Sequence, residues 1–241
     1  CIGGYASGTL INLNSRKYHG LLIAAHNPPG RRVLHLAKLD ERFRAGSCTF
    51  NLAANENRSG FRETGFIHLQ RVQVEPFPTF TYSFKDISLD KTVFMVYGKN
   101  STVILYRVCN GAAPALLTLV PLVNGRGHHC VTRREELYFS QRPVTGGVSI
   151  AVAGGEDLPE LLLTCSAGTF IPGGSWYEGM AYRAEKERGE NDWEDHYVPG
   201  RFEVPIAAGE VKTFAVFATV EESCRPAGLD PLNLLEKERA R

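Results

Sequence analysis

From Tyr18 to Val220 the chain is a succession of short β-type runs divided by turn residues, and that rhythm limits the fold more than any other feature. The segment TFTYSF (Thr79 to Phe84) alternates strictly, with Phe80, Tyr82 and Phe84 on one face and small polar residues on the other. Successive side chains of a strand point to opposite faces, so this pattern predicts a half-buried antiparallel strand. KTVFMVYG, STVILYRVC, PALLTLVPLV, GGVSIAVAGG, PELLLTC and VKTFAVFATV have the same character, and GKN, NGAAP, TGG, AGGEDLP and AAGE supply the turns between them. Long helical periodicity is almost absent. Regularly spaced strands without interleaved helices predict an all-β chain, built as a large antiparallel β-sandwich.

The stretch SRKYHGLLIAA (Ser15 to Ala25) leads directly into an unbroken apolar run. Apolar residues of both parities at Leu21, Leu22 and Ile23 predict a strand covered on both faces. Gly20, with no side chain, then allows a neighbouring chain or ligand to come close, and Arg16, Tyr18 and His19 form an exposed lip. Two segments break the rhythm. Gly179 to Phe202 is charged, with Trp193 in its middle, and reads as too polar for core, with a short helix around Arg183 to Arg188. The tail GLDPLNLLEKERAR offers Asp230 as N-cap and Pro231 in the first turn. No stop signal follows before Arg241, which predicts a sequence cut inside a linker helix.

With 241 residues, 43% of them hydrophobic, the chain can bury a large core. A formal net charge of +1, without a run of Lys and Arg, gives no electrostatic footprint for nucleic acid. No apolar window approaches the roughly 18–20 residues of a membrane-spanning helix. The six cysteines (Cys1, Cys48, Cys109, Cys130, Cys165 and Cys224) form no CxxC pair, and several lie in apolar runs. Buried, reduced thiols and a cytoplasmic protein are the expectation.

Longer motifs carry a resemblance. GGYASGTLINLNSRKYHGLLIAA followed by NPPGRRVLHLAKLDE, then EPFPTFTYSFKDISLDKTVFMVYGKNSTVILYRV and YRAEKERGENDWEDHYVPGRFEVPIAAGE, resembles the N-terminal domain of bacterial and archaeal glycogen debranching enzymes across nearly the whole chain. The resemblance implies a β-supersandwich like galactose mutarotases and the N-terminal domains of glucoamylases. It would occupy residues 1–224, with 225–241 starting a linker helix to a C-terminal α/α toroid beyond this sequence. In that family the toroid holds the catalytic carboxylates of an amylo-α-1,6-glucosidase. The implied role here is therefore non-catalytic: support of the toroid and contact with α-glucan (glycogen or limit dextrin). Its implied partners are that glucan and the catalytic domain of the same chain, with no nucleic acid and no membrane.

Glycoside hydrolysis usually takes two carboxylates about 5–9.5 Å apart. The best local set is Glu190, Asp192, Glu194 and Asp195 around Trp193, whose plainer interpretation is a solvated loop or a shoulder meeting the toroid. Glu63 and Glu75 are lone carboxylates. A self-sufficient mutarotase-like enzyme would need a base and polarising histidines, for which His19 and His68 with Glu63 or Glu75 are available, though no spacing selects them. A purely structural or oligomerising module is a third possibility. Arg16, Tyr18 and His19 suit glucan contact or, by a small margin, domain contact. GSWYEG exposes Trp176 and Tyr177 between glycines as a second stacking platform, or else as packing beneath a loop. The carbohydrate or interdomain set is thus Arg16, Tyr18, His19, Trp176, Tyr177, Trp193, Glu194 and Asp195, with no catalytic residue among them. GHHC invites zinc, but adjacent strand residues face opposite ways, so His128 and His129 would not share an ion. No metal and no cofactor are expected. GGYASG lacks the lysine and helix of a phosphate loop and reads as a flexible turn.

Overall fold

A computed structural model of the chain describes residues 2–28, 30–154, 157–221 and 230–241. Among these, the strands are β1 (Tyr5–Ser7), β2 (Gly20–His26), β3 (Arg31–Ala45), β4 (Cys48–Asn51), β5 (Ala54–Asn57), β6 (Gly60–Thr64), β7 (Leu69–Gln73), β8 (Thr79–Phe84) and β9 (Ile87–Met95). They continue with β10 (Ser101–Cys109), β11 (Ala115–Gly127), β12 (Tyr138–Val144), β13 (Gly147–Ala153), β14 (Leu161–Cys165), β15 (Thr169–Ala181), β16 (Trp193–Ile206) and β17 (Val211–Thr219). Two helices, α1 (Arg183–Glu187) and α2 (Pro231–Arg239), complete the described elements, with a 3-10 turn at Gly65–His68.

The strands form two antiparallel sheets. The nine-stranded one runs β1-β2-β3-β11-β16-β15-β5-β6, with β4 beside β3, and the eight-stranded one runs β12-β13-β14-β17-β10-β9-β8-β7. The main core lies between them. Leu22, Leu39, Phe43, Leu117 and Phe202 of the first sheet meet Tyr82, Leu89, Ile104, Leu163 and Phe214 of the second. The all-β sandwich expected from the strand rhythm is present. Phe80, Tyr82 and Phe84 all point into this core, as strict alternation requires.

Strand β2 is covered on both faces. Leu22 and Ala24 join the inter-sheet core, while Ile23 joins a second cluster on the opposite face with Leu34, Ala37, Leu122, Met180 and Tyr182. The close approach at Gly20 is that of a neighbouring strand: a Cβ there would stand 2.4 Å from Leu34 Cδ1. A third cluster (Phe94, Val103, Leu105, Ala215 and Phe217) covers the outer face of the eight-stranded sheet, and Leu235 of α2 packs into it. Asp230 caps α2 by accepting the Leu232 N–H at 3.0 Å, with Pro231 in the first turn. The boundary expected at 224/225 lies outside the described residues, as do Cys1 and Cys224. Cys48, Cys109, Cys130 and Cys165 are free thiols, and burial in the core pushes the Cys165 pKa up to about 11. No helix among the described residues is long and apolar enough to cross a membrane.

Candidate functional site

The charged stretch is where sequence and structure part. It forms α1 and the opening of β16, and Glu194 is 0% exposed. Its two oxygens are held in a fork by Arg126 of β11, Nε to Oε2 and Nη2 to Oε1, both at 2.6 Å. The Tyr182 hydroxyl donates to Oε1, and the Thr132 N–H donates to Oε2 at 3.3 Å. A buried carboxylate survives only when paired and hydrogen-bonded, and this set meets that condition. The β16 part of the segment, Glu194 to Tyr197, is thus core after all, because its charge is matched from distant strands, while Lys186 to Asn191 stays exposed as expected. Burial by itself raises the Glu194 pKa, but Arg126, with help from the Tyr182 hydrogen bond, overrides it and keeps the carboxyl below its ordinary range. Burial and the Glu194 charge push the Tyr182 hydroxyl well above its usual pKa, so it stays a donor. Burial lowers the His196 pKa despite Glu194 nearby, which leaves its imidazole neutral.

Asp195, also buried, ties the loop after β11 and strand β15 to β16. It accepts the Arg134 N–H at 3.0 Å and the Gly179 N–H at 2.8 Å. Trp193 is half-buried, with the Arg133 guanidinium 3.4 Å from its ring centroid and Arg58 at 6.0 Å. Neither carboxylate is solvated, and the Trp193 ring already carries a cation. Glu190 remains exposed and pairs with Lys17 at 3.1 Å.

The segment before β2 folds over this cluster. Arg126 also donates to the Lys17 carbonyl at 2.8 Å, and Arg16 pairs with buried Glu185 of α1 at 3.2 Å. Lys17 is buried, and Arg16, Tyr18 and His19 are half-buried, so the lip is less open than its polarity suggested. Tyr18 bonds His129 at 3.2 Å and lies edge-on to both His128 and His129. His19 Nδ1 accepts the Ser15 N–H at 3.1 Å, closing a turn. Burial, then the Arg16 charge, lower the His19 pKa, which keeps that nitrogen available as an acceptor. The fold thus joins Arg16 and Lys17 to the Glu194 cluster through Glu185 and Arg126, whereas Trp193 and Asp195, the neighbours of Glu194 along β16, project to the other side of the strand.

Trp176 and Tyr177 lie elsewhere, in β15 and not in a loop, and face opposite ways. Tyr177 donates to Glu63 at 2.9 Å, with Arg62 over its ring at 4.7 Å, so Glu63 is not a lone carboxylate. Trp176 stands edge-on to Phe139 of β12 and Tyr197 of β16, at 5.6 and 5.7 Å. Trp176 and Tyr197 are direct partners across the β15–β16 ladder, which places them on one side of the sheet. With Arg134, Glu135, Leu137 and Tyr138 these aromatics line an open cleft of about 500 Å³.

The other candidates are dispersed. His68 packs edge-on against Phe50 and Phe84 and His19 serves its own turn, so no contact among the described residues unites either with Glu63. His128 and His129 sit in a turn after β11, their rings 4.0 Å apart, so the strand geometry expected to separate them does not apply. Among the described residues no three His, Cys, Asp or Glu side chains could hold a metal ion together. The residues that sequence reasoning missed are Arg126, Tyr182 and Lys17. No local signal marked the strand, since Glu194, Asp195 and His196 are consecutive polar residues and Pro199-Gly200 reads as a turn.

The family described as glycogen debranching enzyme N terminal matches residues 1–213. The chain belongs to that family. This debranching-enzyme N-terminal domain is matched by no curated protein. Among solved structures it is similar to a bacterial glucoamylase in complex with acarbose, with 8% identity and a TM-score of 0.47 over 100% of this chain and 37% of that one. It is also similar to a putative kojibiose phosphorylase from the human microbiome, with 9% identity and a TM-score of 0.44 over 87% of this chain and 28% of that one. The domain therefore spans well under half the length of these structures.

Proposed function

We propose that this chain is a non-catalytic domain of a cytoplasmic glycogen debranching enzyme, which supports a catalytic domain and contacts α-glucan. The family match supplies the enzyme class, and hydrolysis of α-1,6 branch points would belong to the whole protein. The observation that carries the non-catalytic role is the pairing of Glu194. A general acid or nucleophile must reach its substrate, whereas both oxygens of this fully buried carboxylate are held by Arg126. Asp195 is likewise taken up by two backbone N–H groups. The half-buried segment Arg16 to His19, braced on α1, suits contact with a neighbouring domain better than an open sugar face. Free thiols at the four described cysteines fit a reducing compartment.

The test is direct. The purified chain, given a branched limit dextrin, should release no glucose, yet should be retained by glycogen in a sedimentation assay. Glucose release would overturn the non-catalytic role, and failure to bind glycogen would overturn the glucan contact.

A further inference from the structure

We propose that the aromatic cleft between β12 and β15 is a binding subsite for an α-1,4-linked glucan chain; this rests on the glucan contact proposed above and gives it a place. The cleft lies where the sandwich is left open. Strand β12 ends the eight-stranded sheet, and β15 pairs with β5 only at Met180, so its stretch from Thr169 to Tyr177 is also an edge. Phe139 and Tyr197, one from each sheet, stack across this mouth at 4.7 Å and 3°. The Tyr197 hydroxyl donates to Gln141 Oε1 at 3.1 Å, and Gln141 Nε2 donates to the Gly173 carbonyl at 2.8 Å. These bonds fix the walls before any ligand arrives, which lowers the entropy lost on binding.

The lining suits a sugar. Aromatic carbon from Trp176, Tyr138 and Phe139 faces the same space as the charged side chains of Arg134 and Glu135. A pyranose has apolar C–H faces and a girdle of hydroxyls, and so uses both kinds of surface. Tyr138 is 69% exposed, far more than a tyrosine serving only the core. The volume of about 500 Å³ falls within the roughly 300–1,000 Å³ of small-ligand sites. An added strand from another protein fits poorly here. Pro143 in β12 and Pro172 in β15 have no N–H to offer a ladder, and Gly173 and Gly174 offer no side chains.

The chain has two tryptophans, so Trp193→Phe leaves Trp176 as the only indole. Titrating that variant with maltoheptaose should change the Trp176 emission saturably. Adding Tyr138→Ala should weaken binding about tenfold or more, as loss of a central aromatic contact does, with an unchanged urea midpoint. Glu135→Ala should weaken it less. Cellohexaose, a straighter β-linked chain, should bind distinctly more weakly. Equal affinity for maltoheptaose with and without Tyr138 and Glu135, in a chain still retained by glycogen, would move the glucan contact elsewhere and overturn this inference alone. Equal affinity for cellohexaose would overturn the α-glucan assignment. No binding of either maltoheptaose or glycogen would remove this subsite and the proposed glucan contact together.

Discussion

Lys91 of the eight-stranded sheet reaches across the core to Glu41 of the nine-stranded sheet, Nζ to Oε1 at 2.6 Å, with both side chains 1% exposed. The Tyr106 hydroxyl donates to the same oxygen at 2.7 Å. An ion pair between layers of apolar side chains is costly to break, because removing one partner leaves the other charge buried without compensation. Lys91→Met should lower unfolding stability by about 3–5 kcal/mol in urea denaturation. The double variant Lys91→Met with Glu41→Gln should recover a large part of that loss. A single variant as stable as the parent would show that the Lys91–Glu41 contact does not tie the two sheets together.

The Arg126–Glu194 fork is expected to behave the same way on the other face of the nine-stranded sheet. Arg126→Met strands Glu194 and also releases the Lys17 carbonyl. A loss of about 3–5 kcal/mol is expected, with faster proteolysis between Ser15 and Gly20. If that segment stays as resistant to protease as in the parent, the fork does not anchor it.

Two glycines rank by what surrounds them. A Cβ on Gly65 would lie 2.1 Å from the Leu52 carbonyl carbon, whereas on Gly20 it meets only side chains, Leu34 at 2.4 Å and Ile23 at 3.1 Å. Backbone cannot swing aside as a side chain can. Gly20→Ala should cost about 1–3 kcal/mol, the usual range for overpacking, and Gly65→Ala more than that. Thermal unfolding of the two variants checks the order.

These cases also show what the sequence makes legible. Thr79–Phe84 and Leu21–Ala25 were readable because alternation, or its absence, reports directly which faces are covered. The cap at Asp230 was readable because its partner is two residues away. Glu194 was not, since its partner Arg126 lies 68 residues earlier and no local pattern links them. A charge run looks the same whether water or a distant guanidinium solvates it. The aromatic cleft was half visible: Trp176 stood out between glycines, but Phe139 and Tyr197 reach it from other strands.

Acid should weaken the fold in a defined window. Burial, with His26 at 2.9 Å from its Nε2, lowers the His35 pKa from 6.5 to about 3. An unfolded His35 takes up a proton near pH 6.5 and the folded one resists until about 3, so the unfolded chain binds more protons between those values. Stability therefore falls as pH drops through that window. Between pH 7 and pH 5 one such group is worth about 2 kcal/mol. His196, whose pKa is also lowered by burial, adds in the same direction. His35→Gln should flatten the dependence of the urea midpoint on pH, and an unchanged slope would place the acid sensitivity elsewhere.

The long reach of the Arg126–Glu194 fork has a consequence for how the chain can be divided. A fragment ending before β16 would keep Arg126 without its anion, and the complementary piece would hold a bare Glu194. Neither half is a smaller version of the whole, because each would carry an unanswered charge where water is excluded. Strand β11 lies between early β3 and late β16, so the sheet closes only when strands made late in synthesis meet those made early.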